Sequence, residues 1–304
     1  MLQPTTRSKI SSTSSARLDR SAAGSAFEAA PAFPPLFQVA CHWAAPWLVA
    51  AGTRVGTGHM LKGAQTDDAV LVSRCGPNIL FAVADGAGDP RATRSAEGSA
   101  RACAVAAAAA HRSWSIYGAD PQLLTEAMAA AHVDLVGRAA ADGQDPMVFA
   151  TTLSLVLLAG DRIVAARIGD GSLYTWDGRQ LTRFCSTPLP ATATPMLTQP
   201  DWRDWMATAD QQKSFVQGLV VGTDGADEFF LEDDGGGQGR KPSAAMFKGL
   251  SDYCDQYGPT AAILYTMQML NDPNWARKTG DDRSFVFAFK PQSEKATPHA
   301  RHPR

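Results

Sequence analysis

Between residues 152 and 184 four short strand-like runs follow one another with little chain between them: Thr152–Leu158, Arg162–Ile168, Ser172–Trp176 and Gln180–Phe184. A parallel neighbour needs a crossover of about a dozen residues or more, and no such length is available here. Strands joined by tight turns imply antiparallel pairing. Ala159-Gly160-Asp161 turns the first two runs, and Asp177-Gly178 is the dipeptide of a two-residue hairpin between the last two.

Upstream, Trp47–Arg54 and Ala69–Ser73 read as strands, and Ile79–Ala84 (ILFAVA) is the continuous apolar run of a buried one. Helices follow. Ser95–His111 is dense in Ala, and residues 121–140 open on Pro121 at the first helical position, with Asp120 as cap and Gly143 as stop. Cys185 to about Lys213 carries Pro188, Pro190, Pro195 and Pro200 and reads as a long loop or flap, the kind of loop that often serves as a lid. Gly218–Thr223 is another buried strand, Asp233–Arg240 an exposed loop, Ala244–Tyr257 and Thr260–Leu270 are helices, and Ser284–Phe289 is a closing strand.

Strands, two helices, strands, two helices and a strand do not alternate as a doubly wound parallel sheet does. The order suits an α+β architecture of antiparallel sheets flanked by helices. The expected organisation is a Ser-, Ala- and Pro-rich disordered tail over 1–40, one domain over 41–290 with a flap-like loop at 185–215, and a second tail over 291–304.

Composition removes several function classes. With 28 Lys+Arg against 30 Asp+Glu the chain lacks the basic excess of a nucleic-acid binder. No apolar run approaches the roughly 18 residues of a membrane span, and no apolar stretch follows Arg7 and Lys9 as in a secretory signal. The five cysteines are scattered with no CxxC pair, which argues against a disulfide framework or zinc knuckle. These features suit a reducing, cytoplasmic compartment with neither membrane nor nucleic acid as partner, and the chain is expected to act as a monomer.

The informative residues are acids at strand ends. Asp85 follows ILFAVA, Asp170 follows RIVAARIG, and Asp224 follows LVVGT, while Asp67 and Asp68 precede AVLV and Asp281 and Asp282 precede SFVFAF. In antiparallel sheets the end of one strand lies beside the start of the next, so one edge can gather all five sites. Like charges gathered in a partly dry cleft oppose joint ionisation, and a divalent cation removes the conflict. An all-carboxylate set without His or Cys suits Mg²⁺ or Mn²⁺ rather than Zn²⁺. Two such ions sharing a carboxylate suit attack of water on phosphorus. Any one of the three Asp-Gly pairs alone is a common turn, so the inference lies in the joint pattern.

At this point the residues resemble a family. VADGAG (83–88), ATTLSLVLLAGDRIVAARIGDG (150–171), VVGTDGADEF (220–229) and GDDRSFVFAF (280–289) stand in the order found in metal-dependent type 2C (PPM-type) Ser/Thr protein phosphatases, and GTGHMLKGAQTDDA (56–69) resembles the opening motif of a bacterial branch. The resemblance covers roughly residues 43–290 and implies an α-β-β-α sandwich of two antiparallel sheets flanked by helices, with two metal ions at one edge. Carried over residue by residue, it implies that Asp85 bridges both ions beside the Gly86 carbonyl, and that Asp224 and Asp281 ligate one of them. Asp68 then holds water on the other, and Asp170 joins Asp224 at a weaker third ion. The cofactors it implies are Mn²⁺ or Mg²⁺, the substrate is a phosphorylated protein with phosphoserine or phosphothreonine, and a cognate Ser/Thr kinase is the natural counterpart.

The chain also departs from the family. Ala87 stands where many members carry a His that is a proposed general acid, and the family's phosphate-binding Arg has no aligned equivalent. His59 and Lys62 are the nearest candidates for positioning phosphate, with Arg91 and Arg94 next. These departures keep open a pseudophosphatase that serves as a signalling or docking module. An aspartyl-nucleophile phosphatase of the haloacid-dehalogenase type is disfavoured, because its D-x-D motif would need an acid where Val83 stands.

Overall fold

A computed structural model describes residues 37–290, apart from 45, 62–64, 76, 189, 191–192, 234–239 and 259. Residues 1–36 of the tail expected at 1–40, and all of that expected at 291–304, therefore lie outside the described residues, as does Lys62.

The first sheet contains β1 (Phe37–Ala44), β2 (Trp47–Arg54), β7 (Ser172–Trp176), β8 (Leu181–Arg183), β10 (Gly218–Gly222) and β13 (Arg283–Phe289), in the order β1-β2-β13-β10-β7-β8. The second contains β3 (Ala69–Cys75), β4 (Asn78–Ala84), β5 (Leu153–Ala159), β6 (Arg162–Ile168) and β9 (Ala207–Gln212), in the order β3-β4-β5-β6-β9. Every pairing in both sheets is antiparallel. Helices α1 (Thr57–Leu61), α2 (Ser95–Tyr117), α3 (Pro121–Ala141), α4 (Ala245–Tyr257), α5 (Ala261–Asn271) and α6 (Pro273–Lys278) complete the fold, with a small ribbon of β11 (Leu231–Asp233) and β12 (Arg240–Pro242).

Strand periodicity explains the layering. Trp47, Val49 and Ala51 of β2 face Ile79, Phe81 and Val83 of β4 in one buried cluster between the sheets. Their alternates Leu48 and Ala50 pack with Phe285, Phe287 and Phe289 of β13 against Phe247, Leu250 and Ala262 of α4 and α5. Leu80, Ala82 and Ala84 turn the opposite way, toward the Ala faces of α2 and α3. Both sheets are thus apolar on two faces, because each is covered by helices outside and by the other sheet inside. The result is an α-β-β-α sandwich. Among the described residues no helix is long and apolar enough to cross a membrane.

Several local expectations meet the structure closely. The Asp120 side chain accepts from the Gln122 N–H and caps α3, and the Asp177 carboxylate accepts from the Arg179 and Gln180 N–H groups in the β7–β8 turn. Four of the five cysteines, Cys75, Cys103, Cys185 and Cys254, are buried as thiols.

Other expectations are corrected. Ile168 and Ser172 do not belong to one hairpin: between them the chain crosses from the second sheet to the first, with Gly169 at φ 109°. The segment read as a flap at 185–215 ends in β9, whose polar sequence ATADQQ becomes a strand by pairing with β6. The rest of that segment is anchored, since Leu197 and Trp202 are buried against α3 and His132 Nδ1 lies 2.7 Å from the Leu197 carbonyl. Strand β1 begins at Phe37, inside the stretch read as tail, and α2 runs six residues beyond His111 to Tyr117.

Candidate active site

One cavity of about 180 Å³ opens where strand ends from both sheets meet, lined by His59, Asp85, Gly86, Ala87, Gly88, Thr152, Asp170, Thr194, Met196, Asp224 and Asp281. Of the residues singled out in the sequence, His59, Asp85, Gly86, Asp170, Asp224 and Asp281 line it together. Asp68 does not line the cavity. It is buried, and it accepts a 2.9 Å hydrogen bond from the Thr223 hydroxyl.

Each acid is fixed by its backbone. The Asp85 carbonyl accepts from the Thr152 N–H at 2.8 Å and from the Thr151 hydroxyl at 3.0 Å, while the Asp85 N–H donates to Thr152 Oγ1 at 2.9 Å. Arg167, buried at the end of β6, donates to the carbonyls of Gly169, Gly171 and Cys185 and so holds the crossing that carries Asp170. Asp224 begins a tight 3₁₀ turn after β10. A Cβ on Gly225 would collide with the Asp282 carbonyl, so glycine is required for that turn to lie against the start of β13.

The electrostatics are those of crowded acids. Burial, and then the charges of Asp68, Asp224, Asp281 and Asp170, hold the Asp85 carboxyl well above the usual carboxylate range. Asp68 is raised well above its ordinary value by burial and then by Asp282. Asp224 is exposed to the cavity as a whole residue, yet burial of its carboxyl and the charges of Asp281 and Asp170 push it up to about 6. The donor set is all oxygen and suits a hard divalent ion. Among the described residues, however, no group of three or more His, Cys, Asp or Glu side chains closes into a ligand cage.

The sequence profile of the protein phosphatase 2C family matches residues 55–268. The chain belongs to the protein phosphatase 2C family. Solved structures agree at the level of fold. A bacterial serine phosphatase aligns with TM-score 0.55 at 13% identity over 84% of this chain and 97% of its own. The catalytic domain of the serine threonine protein phosphatase PstP, in complex with two manganese ions, aligns with TM-score 0.53 at 18% identity over 83% and 97% of the respective chains. The serine/threonine phosphatase Stp1 from Staphylococcus aureus aligns with TM-score 0.50 at 13% identity over 83% and 94%. No curated protein matches the sequence.

Within this phosphatase 2C domain the arginine candidates for phosphate fall away. Arg91 forks onto Asp89, and Arg94 is held by Glu97 and Asp142 while lying over the Phe149 ring. Neither lines the cavity, and among the described residues no Arg or Lys does.

Sequence reading missed two residues that matter here. Asp282 points inward, and its carboxylate accepts from the N–H groups of Gly56 and Asp67, each at 2.6 Å. The doubled acid Asp281-Asp282 was visible, but not that Asp282, buried behind the Asp281 that lines the cavity, would hold His59. Thr194 reaches the cavity from a Pro-rich loop in which nothing marks one threonine over another.

Proposed function

We propose that this chain is a metal-dependent phosphatase that hydrolyses phosphoserine and phosphothreonine in proteins. The observation that carries the reading is the convergence of Asp85, Asp170, Asp224 and Asp281 on one cavity, with Asp68 buried behind Asp85. In this reading Asp85 and the Gly86 carbonyl serve two Mn²⁺ or Mg²⁺ ions. Asp224 and Asp281 complete one of them, Asp68 supports the other, and Asp170 with Asp224 takes a weaker third. Bound there, divalent ions neutralise phosphate charge and make water nucleophilic at neutral pH. Ala87 and Met196 give the same cavity an apolar wall. Its phosphoprotein substrate implies a kinase that phosphorylates it, and the enzyme acts as a cytoplasmic monomer.

A second reading is favoured by one observation. Among the described residues no Arg or Lys lines the cavity to hold phosphate, which suits a metal-binding docking module without turnover. Hydrolysis of a phosphoserine peptide with Mn²⁺, by wild type and by the Asp85→Ala and Asp224→Ala variants, decides between them. The phosphatase reading expects wild-type turnover and a loss of at least about 10²-fold in each variant. Wild-type inactivity with intact Mn²⁺ binding supports the docking module, and activity surviving both substitutions removes the bimetal assignment.

A further inference from the structure

Cleaving a phosphoserine ester leaves an alkoxide, a poor leaving group that needs a proton as the P–O bond breaks. The wall beside Asp85 offers none: Ala87 has no proton to give, and the hydroxyls of Thr152 and Thr194 are too weakly acidic. The carboxyls at the cavity are committed to cations in the reading above. His59 is the one imidazole among the described residues that line the cavity.

His59 is also held as a proton donor needs to be. Its Nδ1 lies 3.0 Å from Asp282 Oδ2. Asp282 is itself clamped, its Oδ1 accepting from the Gly56 N–H and its Oδ2 from the Asp67 N–H, each at 2.6 Å. The Gly58 N–H donates to the Gly280 carbonyl at 2.9 Å and ties α1 to the approach to β13. Asp282 therefore acts as an acceptor, which places the Nδ1 proton on His59 and leaves Nε2 as the working nitrogen. Nε2 stands 3.7 Å from Asp67 Oδ2, beyond hydrogen-bond reach. A carboxylate behind Nδ1 with Nε2 left unbonded is the arrangement that orients a general acid and stabilises its imidazolium.

We propose that His59 is the catalytic residue that protonates the leaving serine or threonine oxygen, with Asp282 as its positioning residue. This rests on the phosphatase reading above. As the P–O bond breaks, its electron pair goes to the leaving oxygen, which takes the Nε2 proton. Water supplies the new oxygen on phosphorus, and the proton that water gives up restores the imidazolium. The alcohol and inorganic phosphate leave with atoms and charge in balance. Burial disfavours a charge on the ring; against it, Asp282 just before β13, then Asp67 from the segment before β3 and Asp281 at the cavity, favour the protonated form.

The test compares two substrates under Mn²⁺: a phosphoserine peptide, whose alkoxide needs a proton, and p-nitrophenyl phosphate, whose phenolate leaves without one. His59→Gln is expected to lose about 10²-fold in kcat on the peptide and at least about tenfold less than that on p-nitrophenyl phosphate. Imidazole added to His59→Ala is expected to restore peptide turnover, which also shows that the variant is folded. Asp282→Asn is expected to move the alkaline fall of kcat on the peptide to lower pH. Equal losses on the two substrates, or no rescue by imidazole, overturn the assignment to His59, and an unmoved alkaline limb overturns the part given to Asp282. Wild-type inactivity on both substrates with Mn²⁺ bound is a different result: it removes the phosphatase reading itself, and this inference with it.

Discussion

The hydroxyl of Thr194 donates a 2.5 Å hydrogen bond to Asp170 Oδ2, joining the anchored loop after β8 to an acid at the end of β6. A carboxylate oxygen can keep that hydrogen bond and still offer a lone pair to a cation, so the threonine orients the acid rather than blocking it. Thr194→Val should therefore weaken Mn²⁺ binding at the weakest site by about tenfold or more. Calorimetric titration measures this, and unchanged or tighter binding removes the supporting part given to Thr194.

The crowded acids give the metal-free protein a characteristic response to pH. Asp224 is raised from 3.8 to about 6 when folded, and Asp85 and Asp68 are shifted in the same direction. For an acid raised by folding, the native state holds more protons than the unfolded chain between the two values. Stability from these groups therefore falls as pH rises through the window from about 4 to 6 and beyond. With chelator present, Tm should drop from about pH 5 to about pH 8. Mn²⁺ should restore it at the upper end far more than at the lower. Asp85→Asn should flatten the chelated profile, and thermal melts that stay level or rise over this range in the metal-free wild type contradict the crowding.

Gly225 predicts a steric effect. A Cβ there meets the Asp282 carbonyl, so Gly225→Ala has to push the Asp224 turn away from the start of β13. Overpacking of this sort costs about 1–3 kcal/mol. The same displacement separates Asp224 from Asp281. Denaturant unfolding and Mn²⁺ titration should both worsen, and a loss of stability with unaltered Mn²⁺ affinity would show that Asp224 and Asp281 do not share an ion.

Arg167 predicts a loss of order around Asp170. The residue is 1% exposed, and its guanidinium serves the carbonyls of Gly169, Gly171 and Cys185. Arg167→Met leaves those acceptors without their donor, and a buried unsatisfied group costs about 1–3 kcal/mol. A destabilisation of about 3 kcal/mol by chemical denaturation is expected. Arg167→Lys should recover only part of it, because an ammonium lacks the planar fork. Full recovery by Lys would mean that the charge, not the geometry, supports the crossing.

The strands with long apolar runs were legible because burial on both faces leaves no alternative for ILFAVA or SFVFAF. The cap at Asp120 and the turn at Asp177-Gly178 were legible because each is a local hydrogen-bonding rule. ATADQQ was not, because nothing in those six residues makes a strand until β6 presents an open edge to Ala207–Gln212. The crossing at Gly169 was hidden for a related reason: a three-residue link between apolar runs looks like a hairpin whether the runs share a sheet or face each other across two. At the cavity, strand ends placed Asp85, Asp170 and Asp224 by chain position alone. Local sequence carries no sign that Arg91 is occupied by Asp89, or that Asp282 rather than Asp281 turns inward to His59.

The register of the first sheet has a practical consequence. Phe37 lies opposite Arg54, and Arg54 opposite Arg283, whereas Phe289 lies opposite Leu48 at the far end of the same strands. Arg54 and Arg283 thus stand at the pole of the sheet beside Asp281 and Asp282, while Leu48, Phe289 and Lys290 stand at the opposite pole. A dye carried at position 290 therefore leaves the mouth of the cavity clear, whereas one carried at position 54 sits close to it.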